Sequence, residues 1–174
     1  MLKRVLTFVT KNNNCMYNRY ILVEVKMDTS ENFLESCLFF NTNALSRYLL
    51  KLAEKEFSHL NLSPAHASLL LLVYDTPGIS PKELSHLLHL TPSTITRFVD
   101  ALEKKGLVLR KTKGKAAFIT PSERGLELKR PIALSYKKLY LKYTKILGSN
   151  PANQLSFAIF NANKKIADFL SKNG

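Results

Sequence analysis

Apolar residues recur at three- and four-residue spacing along most of the chain, which predicts a mainly α-helical protein. The clearest pattern runs from Ser80 to Gly106, where two short helices follow each other almost without a break. Ser80 and Thr91 each stand directly before a proline, and a capping hydroxyl followed by proline is typical of a helix start. Gly106 is suited to the left-handed conformation that ends the second helix. Helices joined so closely must cross steeply, which predicts a helix-turn-helix.

After Gly106 the pattern changes from helical to β-type. Short apolar runs at 107–109 and 116–119 flank the turn Lys113-Gly114-Lys115. This predicts a β-hairpin with basic residues at its tip, placed next to the helix-turn-helix like a wing. The expected fold class is therefore mainly α with a small β-hairpin: a winged helix-turn-helix flanked by long helices.

The flanking helices are amphipathic and long. One is predicted from Ser30 to Phe57, and its apolar residues lie nearly all round it, so it needs more than one surface to pack on. Contact between subunits is one way to supply that surface. The helix after Thr120 contains Pro131, which should kink or split it. A last helix begins at Asn150-Pro151.

These patterns divide the chain into four parts. Residues 1–27 form an extension that could be disordered or an upstream start, since Met27 is followed by a good helix start. Residues 28–62 form an N-terminal dimerisation helix and residues 63–125 the winged helix-turn-helix. Residues 126–174 form the C-terminal dimerisation helices.

Charge and cysteine content narrow the class of protein. The 174 residues carry a net charge of +13, which points to a polyanionic partner, either nucleic acid or an anionic membrane. No apolar run reaches the ~18 residues of a membrane span, so we expect a soluble protein. Cys15 and Cys37 form neither a metal-binding spacing nor a disulfide framework, which suits the cytoplasm. No cofactor motif and no catalytic constellation is visible, so we do not expect an enzyme.

Several of these segments resemble the MarR family of transcriptional regulators. The similarity is carried by LSPAHASLLLLVY, SPKELSHLLHL, TPSTITRFVDALEKKGLVLR and ITPSERG, between about Leu62 and Gly125. It implies a homodimeric repressor joined through its first and last helices. Each protomer would place a recognition helix in a major groove of a near-palindromic operator and its wing in the adjacent minor groove.

The residues themselves support DNA binding. Hydroxyls and one guanidinium stand near the start of the second helix, at Thr91, Ser93, Thr94, Thr96 and Arg97. Arg97 is the best candidate for a bidentate contact to guanine, although it could instead pair with Asp100 or Glu103. The hydroxyls could read bases, bind phosphate or only cap the helix. The hairpin adds four cations: Arg110, Lys111, Lys113 and Lys115.

The hairpin departs from the family pattern, in which an Asp fixes an Arg that enters the minor groove. Here it is several residues shorter, and no Asp lies between Arg110 and Thr120. Lys113 and Lys115 are therefore expected to contact phosphate, a role without sequence preference.

Cys37 is a candidate redox sensor. Glu35 to Phe40 resembles the placement of the reactive cysteine in the hydroperoxide-sensing branch of the family. The tyrosines that partner that thiol have no counterpart at 63–66, and an inert, packed cysteine is the simpler interpretation.

A small aromatic or phenolic effector is the ligand that the resemblance implies. Tyr48, Phe57, Tyr136 and Tyr140 could line its pocket between the long helices and the winged part, although they could equally be core residues. His86 and His89 have a usable metal-ligand spacing, but exposed surface histidines are the simpler interpretation and we predict no metal site.

Two other functions remain as alternatives. A winged helix can bind a protein rather than DNA, and salt dependence would distinguish the two. A basic amphipathic helix such as 136–145 could lie on a membrane surface, although its apolar side is better used in a dimer.

Overall fold

A computed structural model describes residues 31–114 and 116–173. The helices are α1 (Glu31–Ser36), α2 (Leu38–Phe57), α3 (Pro64–Asp75), α4 (Pro81–Leu88), α5 (Pro92–Lys104), α6 (Glu123–Glu127), α7 (Lys129–Leu147) and α8 (Ser149–Asn173). The strands β1 (Val108–Lys113) and β2 (Ala116–Pro121) form an antiparallel hairpin between α5 and α6. The predicted fold class, mainly α with a small β-hairpin, is confirmed. The prediction for residues 1–27 lies outside the described residues.

The chain divides into two compact units, with the boundary after Arg47 inside α2. In the first unit, the prediction of one continuous helix from Ser30 is wrong, because the helix is interrupted at Cys37. The Cys37 carbonyl accepts the first backbone hydrogen bond of α2, from the Asn41 amide at 2.9 Å. The Asn41 side chain donates back across the break to the Glu35 carbonyl at 2.7 Å. Asn41 thus supplies a hydrogen-bond donor for a carbonyl group that the break in the helix leaves without its helical partner.

In the second unit, hydroxyl caps set the helix starts as predicted. Ser80 forms a capping box with Glu83: the Glu83 amide donates to Ser80 Oγ, and the Ser80 amide donates to the Glu83 carboxylate. The Ser80 hydroxyl also donates to this carboxylate, at 2.7 Å, and the hydroxyl and the amide of Ser80 together lower the pKa of Glu83. The cap of α6 is Ser122, whereas Thr120 pairs with Leu109 inside the hairpin. The strand therefore includes Thr120 and Pro121, and the helix starts only after them.

The core of the second unit is centred on the winged helix-turn-helix, and Phe57 of α2 and Ile132 of α7 complete it. Fully buried side chains come from α3, α4, α5 and both strands: Leu69, Leu70, Leu84, Ile95, Val99, Leu102, Val108 and Ile119. Ile79, just before α4, forms an isolated antiparallel bridge with Ile119, so the segment between α3 and α4 is hydrogen-bonded to the hairpin at this one position. The base of the wing is therefore fixed to the helices by backbone hydrogen bonds as well as by apolar contacts.

Glycine is required at two positions near the wing. Gly106 has φ +68°, and the amide of Leu107 donates to the Leu102 carbonyl at 2.9 Å, which completes the predicted left-handed stop of α5. At Gly125 a Cβ atom would lie 2.0 Å from the Leu107 carbonyl oxygen. No larger residue fits there without moving the backbone, so α6 packs directly on the chain that leaves α5.

The helix predicted after Thr120 is split, as its proline suggested. The break lies at Leu128, and Pro131 occupies the first turn of α7, where a missing N–H is tolerated. Glu56, near the end of α2, forms an ion pair with Lys142 of α7, and that hydrogen bond lowers the pKa of the Glu56 carboxyl.

Candidate nucleic-acid interface

The amino-terminal end of α5 lies at the protein surface. Thr91 caps the helix: its Oγ1 accepts from the Thr94 amide at 3.3 Å and lies 3.0 Å from Ser93 Oγ. Thr96 Oγ1 donates to the Pro92 carbonyl at 3.0 Å. Thr91, Ser93 and Thr96 are exposed and Thr94 is half-buried. The helix start is thus a cluster of hydroxyls whose geometry is fixed by bonds within the first turn.

Arg97 stands one turn into α5 with an exposed side chain. The two acidic residues that could have paired with it, Asp100 and Glu103, face Arg110 of β1 instead. Within residues 31–114 and 116–173, no ion pair involves Arg97. Its guanidinium therefore carries its full set of donors at the surface beside the hydroxyl cluster.

Arg110 connects the wing to the candidate recognition helix. Its Nη2 atom donates to Asp100 Oδ1, and its Nε atom lies 3.5 Å from Glu103 Oε2. The Arg110 side chain is only 29% exposed, whereas that of Asp100 is 55% exposed. The structure thus places this predicted DNA-contacting residue against α5. The pairing is separated by ten residues and crosses from helix to strand, so the sequence pattern did not indicate it.

The remaining cations of the wing point the other way. In β1, Leu109, Lys111 and Lys113 alternate to one face, opposite Thr120, Phe118 and Ala116 of β2, and both lysines are exposed. Lys115 lies outside the described residues. The outer face of the hairpin therefore presents two described lysines, and Arg110 belongs to the inner face.

His66 supports α5 from behind and was not predicted to do so. Its ring stacks on Phe98 of α5 with centroids 4.5 Å apart, and its Nδ1 atom lies 2.5 Å from Ser63 Oγ. Burial lowers the pKa of His66, and the positive charge of Lys105 lowers it further. The neutral ring is thus favoured as a packing surface for α5.

The four aromatic residues predicted to line an effector pocket do not share one environment. Phe57 is fully buried and packs edge-to-face on Tyr136 with centroids 4.9 Å apart. Tyr136 Oη lies 2.6 Å from Ser68 Oγ, while burial raises the pKa of Tyr136. Tyr48 and Tyr140 are exposed. The pocket stays a prediction, and Phe57 and Tyr136 contact each other directly.

Cys37 has a free thiol and is half-buried at the break between α1 and α2. His86 and His89 are both exposed. Among the described residues, no group of three or more His, Cys, Asp or Glu side chains could hold a metal ion. None of the helices that the structure describes is long and apolar enough to cross a membrane.

The sequence of the winged region is similar to that of a known protein family. Residues 62–114, from the start of α3 to the tip of the wing, match the sequence model of the MarR family. The chain carries a MarR-family domain. No curated protein sequence matches the chain.

Solved structures extend the similarity beyond the MarR-family domain. CouR from Rhodococcus jostii RHA1, bound to p-coumaroyl-CoA, is 22% identical with a TM-score of 0.64, over 72% of this chain and 91% of its own. The transcriptional repressor CouR bound to a 23-mer DNA duplex is 20% identical with a TM-score of 0.67, and the match covers 77% of this chain and 97% of CouR. A probable transcriptional regulator from Pseudomonas aeruginosa is 17% identical with a TM-score of 0.68, and the match covers 74% of this chain and 98% of that protein. The structural similarity thus covers a larger share of the chain than residues 62–114.

Proposed function

We propose that the protein is a sequence-specific DNA-binding transcriptional regulator, a homodimeric repressor of the MarR type. The observation that carries this proposal is the exposed start of α5, where Ser93 and Arg97 stand beside a hydroxyl cap. A helix presented in this way can enter the major groove and read base edges. The CouR structure bound to a DNA duplex, which has the same fold, supports the proposal.

In this proposal the wing binds the DNA backbone and does not read sequence. Lys111 and Lys113 on its outer face contact phosphates, together with Lys115. Thr91 and Thr94 also contact the DNA backbone, and these contacts position α5 on the duplex. Arg110 acts indirectly: its ion pairs with Asp100 and Glu103 fix the angle between wing and helix. They also neutralise two carboxylates that would otherwise repel DNA.

A homodimer is supported by the surface of α8. Leu155, Ile159, Ala162, Ile166 and Phe169 follow each other at four- and three-residue intervals, which places them on one face. Leu155, Ile166 and Phe169 are 41%, 51% and 64% exposed. Covering the exposed part of each side chain would contribute roughly half of the ~1.5–3 kcal/mol of full burial, so a second copy packed along the whole stripe would be stabilised by several such contributions.

An effector relieves repression in this proposal. CouR is bound to p-coumaroyl-CoA in one structure, an aromatic ligand in a protein of this fold. The aromatic set Tyr48, Phe57, Tyr136 and Tyr140 remains the candidate pocket for a small aromatic or phenolic compound, and Cys37 the candidate oxidant sensor. The proposed location is the cytoplasm, where the DNA lies.

The test is selection of bound sequences from random DNA duplexes with the full-length protein. We expect enrichment of a near-palindromic site with half-sites ~10 base pairs apart, and an affinity that falls steeply as salt rises. Absence of any enriched sequence at low salt would contradict the proposal.

A second candidate function is binding of a protein partner by the wing. Leu109 is 50% and Phe118 is 37% exposed on its outer face, next to Lys111. An apolar pair of this kind favours a protein contact more than a phosphate contact. Weak salt dependence of the interaction would favour this candidate over DNA.

A further inference from the structure

The first helix of the helix-turn-helix carries a row of exposed side chains that are basic or can become charged. Lys82, His86 and His89 follow each other at four- and three-residue intervals, which places them on one side of α4 and of the turn after it. All three are exposed, whereas Leu84 of α4 is fully buried. This α4 row ends at the turn that leads into α5.

His89 has a backbone conformation that is rare for a residue with a side chain. Its φ of +53° and ψ of +38° lie in the left-handed region. The His89 amide donates to the His86 carbonyl at 3.3 Å and the Leu90 amide to the Ser85 carbonyl at 3.1 Å, which forms a Schellman motif. Glycine fits the left-handed position of this motif without strain, so histidine costs stability there. Backbone strain of this kind clusters at functional sites.

The two imidazole rings have no partner within the described part of one chain. In residues 31–114 and 116–173, neither the His86 nor the His89 side chain forms a hydrogen bond, an ion pair or a ring contact. The turn itself is fixed by its main-chain bonds and by Ser85, whose hydroxyl donates to the Leu90 carbonyl at 2.5 Å. Both rings are therefore presented to solvent from an ordered turn.

The charges around the α4 row favour an anionic partner. The Glu83 carboxylate of α4 is bonded to Ser80. Three elements pack on α4, namely α3, α5 and β2, and β2 carries no charged residue. On α5, Asp100 and Glu103 contact Arg110. The other charged residues and histidines of α3 and α5 are His66, Asp75, Arg97 and Lys104. Only one of these is acidic, so positive charge dominates.

The α4 row is continuous with the end of α5 that is proposed to read bases. His89 stands two residues before Thr91, so their Cα atoms lie at most ~7 Å apart. In a helix-turn-helix on DNA, the second helix lies in the major groove and the first helix crosses the phosphate backbone. The α4 row is thus placed to meet phosphates. A protonated imidazole can donate a charge-assisted hydrogen bond to a phosphate oxygen.

We propose that His86 and His89 bind phosphates of the DNA backbone in their protonated form. The inference rests on the proposed function and deepens it, because it assigns phosphate contacts outside α5 and the wing. Histidine changes its charge between about pH 5 and pH 8. Contact with a phosphate favours the charged ring, so binding of DNA takes up protons. DNA affinity therefore rises as the pH falls through this range.

The test is titration of the full-length protein with the selected operator and with a random duplex, at about pH 5.5 and about pH 8. We expect about tenfold tighter binding at the lower pH on both duplexes, because phosphate contacts carry no sequence information. The slope of log affinity against log salt concentration should also be steeper at the lower pH, by about one for each ring that contacts a phosphate.

Substitutions separate these two histidines from the others. His86→Gln combined with His89→Gln should weaken binding by about tenfold at the lower pH and remove most of the pH dependence. His59→Gln is the matched control, since it removes an exposed histidine from the joint between α2 and α3. It should leave both the affinity and its pH dependence unchanged.

A second pair of variants uses the left-handed positions. In the described part of the chain, Asn61 and His89 are the non-glycine residues with a positive φ. His89→Gly relieves strain, so the midpoint of thermal unfolding should rise by ~2–4 °C while DNA binding at the lower pH weakens by about threefold. Asn61→Gly should leave DNA affinity unchanged. A loss of binding with a gain of stability is an effect that misfolding cannot produce.

Equal affinities of the wild-type protein at the two pH values would overturn the inference, and so would a pH dependence that survives in the double variant. Unchanged binding by His89→Gly at the lower pH would overturn the role of His89. Failure to bind any duplex at either pH would contradict the proposed function as well. Operator binding without these pH effects would contradict this inference alone, so the two claims can fail separately.

Discussion

The winged region and the last helix use apolar residues in opposite ways. In α5, three of thirteen residues, Ile95, Val99 and Leu102, are buried against α3, α4 and the hairpin. In α8, only Ala152 of twenty-five residues is buried, and large apolar side chains such as Phe157, Phe160 and Phe169 are 64–67% exposed. The two helices are both amphipathic, but among residues 31–114 and 116–173 only the apolar face of α5 is covered by other parts of the chain.

This difference shows which part of the fold is complete in one copy. The winged region encloses its own core, so its stability depends on contacts made inside a single chain. An exposed apolar stripe as long as that of α8 is typical of a protein interface. The contrast predicts that substitutions in the two regions affect different measurable quantities: folding in the first and association in the second.

The largest expected effect is on association. Ile166→Asp combined with Phe169→Asp places two charges on the α8 stripe and removes apolar area that a partner would cover. We expect the dimer to weaken by about 4 kcal/mol, roughly a thousandfold in Kd, because each of the four lost side chains, two in each protomer, contributes ~1 kcal/mol through the area that is still exposed in one copy. Sedimentation of the full-length protein measures this.

Lys164→Asp is the matched control, since it introduces the same side chain on the opposite, exposed part of α8. It should leave the assembly state unchanged. A monomeric wild-type protein, or equal effects of both variants, would refute the role of the stripe.

The next effect is on folding. Leu102 is fully buried, and Leu102→Ala should lower the free energy of unfolding by ~2–5 kcal/mol through lost burial and a residual cavity. Leu87 of α4, which is 52% exposed, serves as the control, and Leu87→Ala should change the free energy of unfolding by less than about 0.5 kcal/mol. Urea unfolding at one protein concentration measures both. A similar loss in the two variants would show that the winged core is not packed as described.

A smaller effect is expected at the contact between wing and helix. Arg110→Ala breaks the ion pairs with Asp100 and Glu103, which are partly exposed and therefore contribute ~0.5–1 kcal/mol to stability. DNA affinity should fall similarly for all sequences, because two carboxylates lose their counter-ion. Adding Asp100→Ala should restore part of that affinity in a double-mutant cycle. No coupling between the two substitutions would argue against a positioning role for Arg110.

The smallest effect is a pH dependence from His66. Burial, assisted by Lys105, lowers its pKa in the folded state below the ordinary 6.5, so the unfolded chain binds the proton more readily. Stability should therefore fall as the pH drops through about 6.5 towards the folded-state pKa. His66→Gln should flatten this part of the curve, and Lys105→Met should reduce its slope. An unchanged slope in His66→Gln would contradict the assignment.

The sequence predicted the parts of this fold that depend on local signals. The caps at Ser80 and Thr91, the stop at Gly106 and the two strands are set by residues close to each other in the chain, whose propensities agree with the final structure. The same holds for the residues at the start of α5, because periodicity alone identifies its exposed face.

The parts that were missed depend on contacts between distant residues. The pairing of Arg110 with Asp100, the bridge from Ile79 to Ile119 and the packing of His66 on Phe98 each join different elements. The break at Cys37 arises from a competition between helix continuation and the hydrogen bond from Asn41 to Glu35, which the apolar pattern does not show.

The central claim is that the start of α5 reads bases while the wing binds phosphates. Its most direct test compares Arg97→Ala and Lys113→Ala on the selected operator and on a random duplex. We expect Arg97→Ala to lose ~1–3 kcal/mol on the operator and little on random DNA. Lys113→Ala should weaken binding to both duplexes equally, and it should reduce the slope of log affinity against log salt concentration by about one. Equal losses on both duplexes for Arg97→Ala would contradict the account.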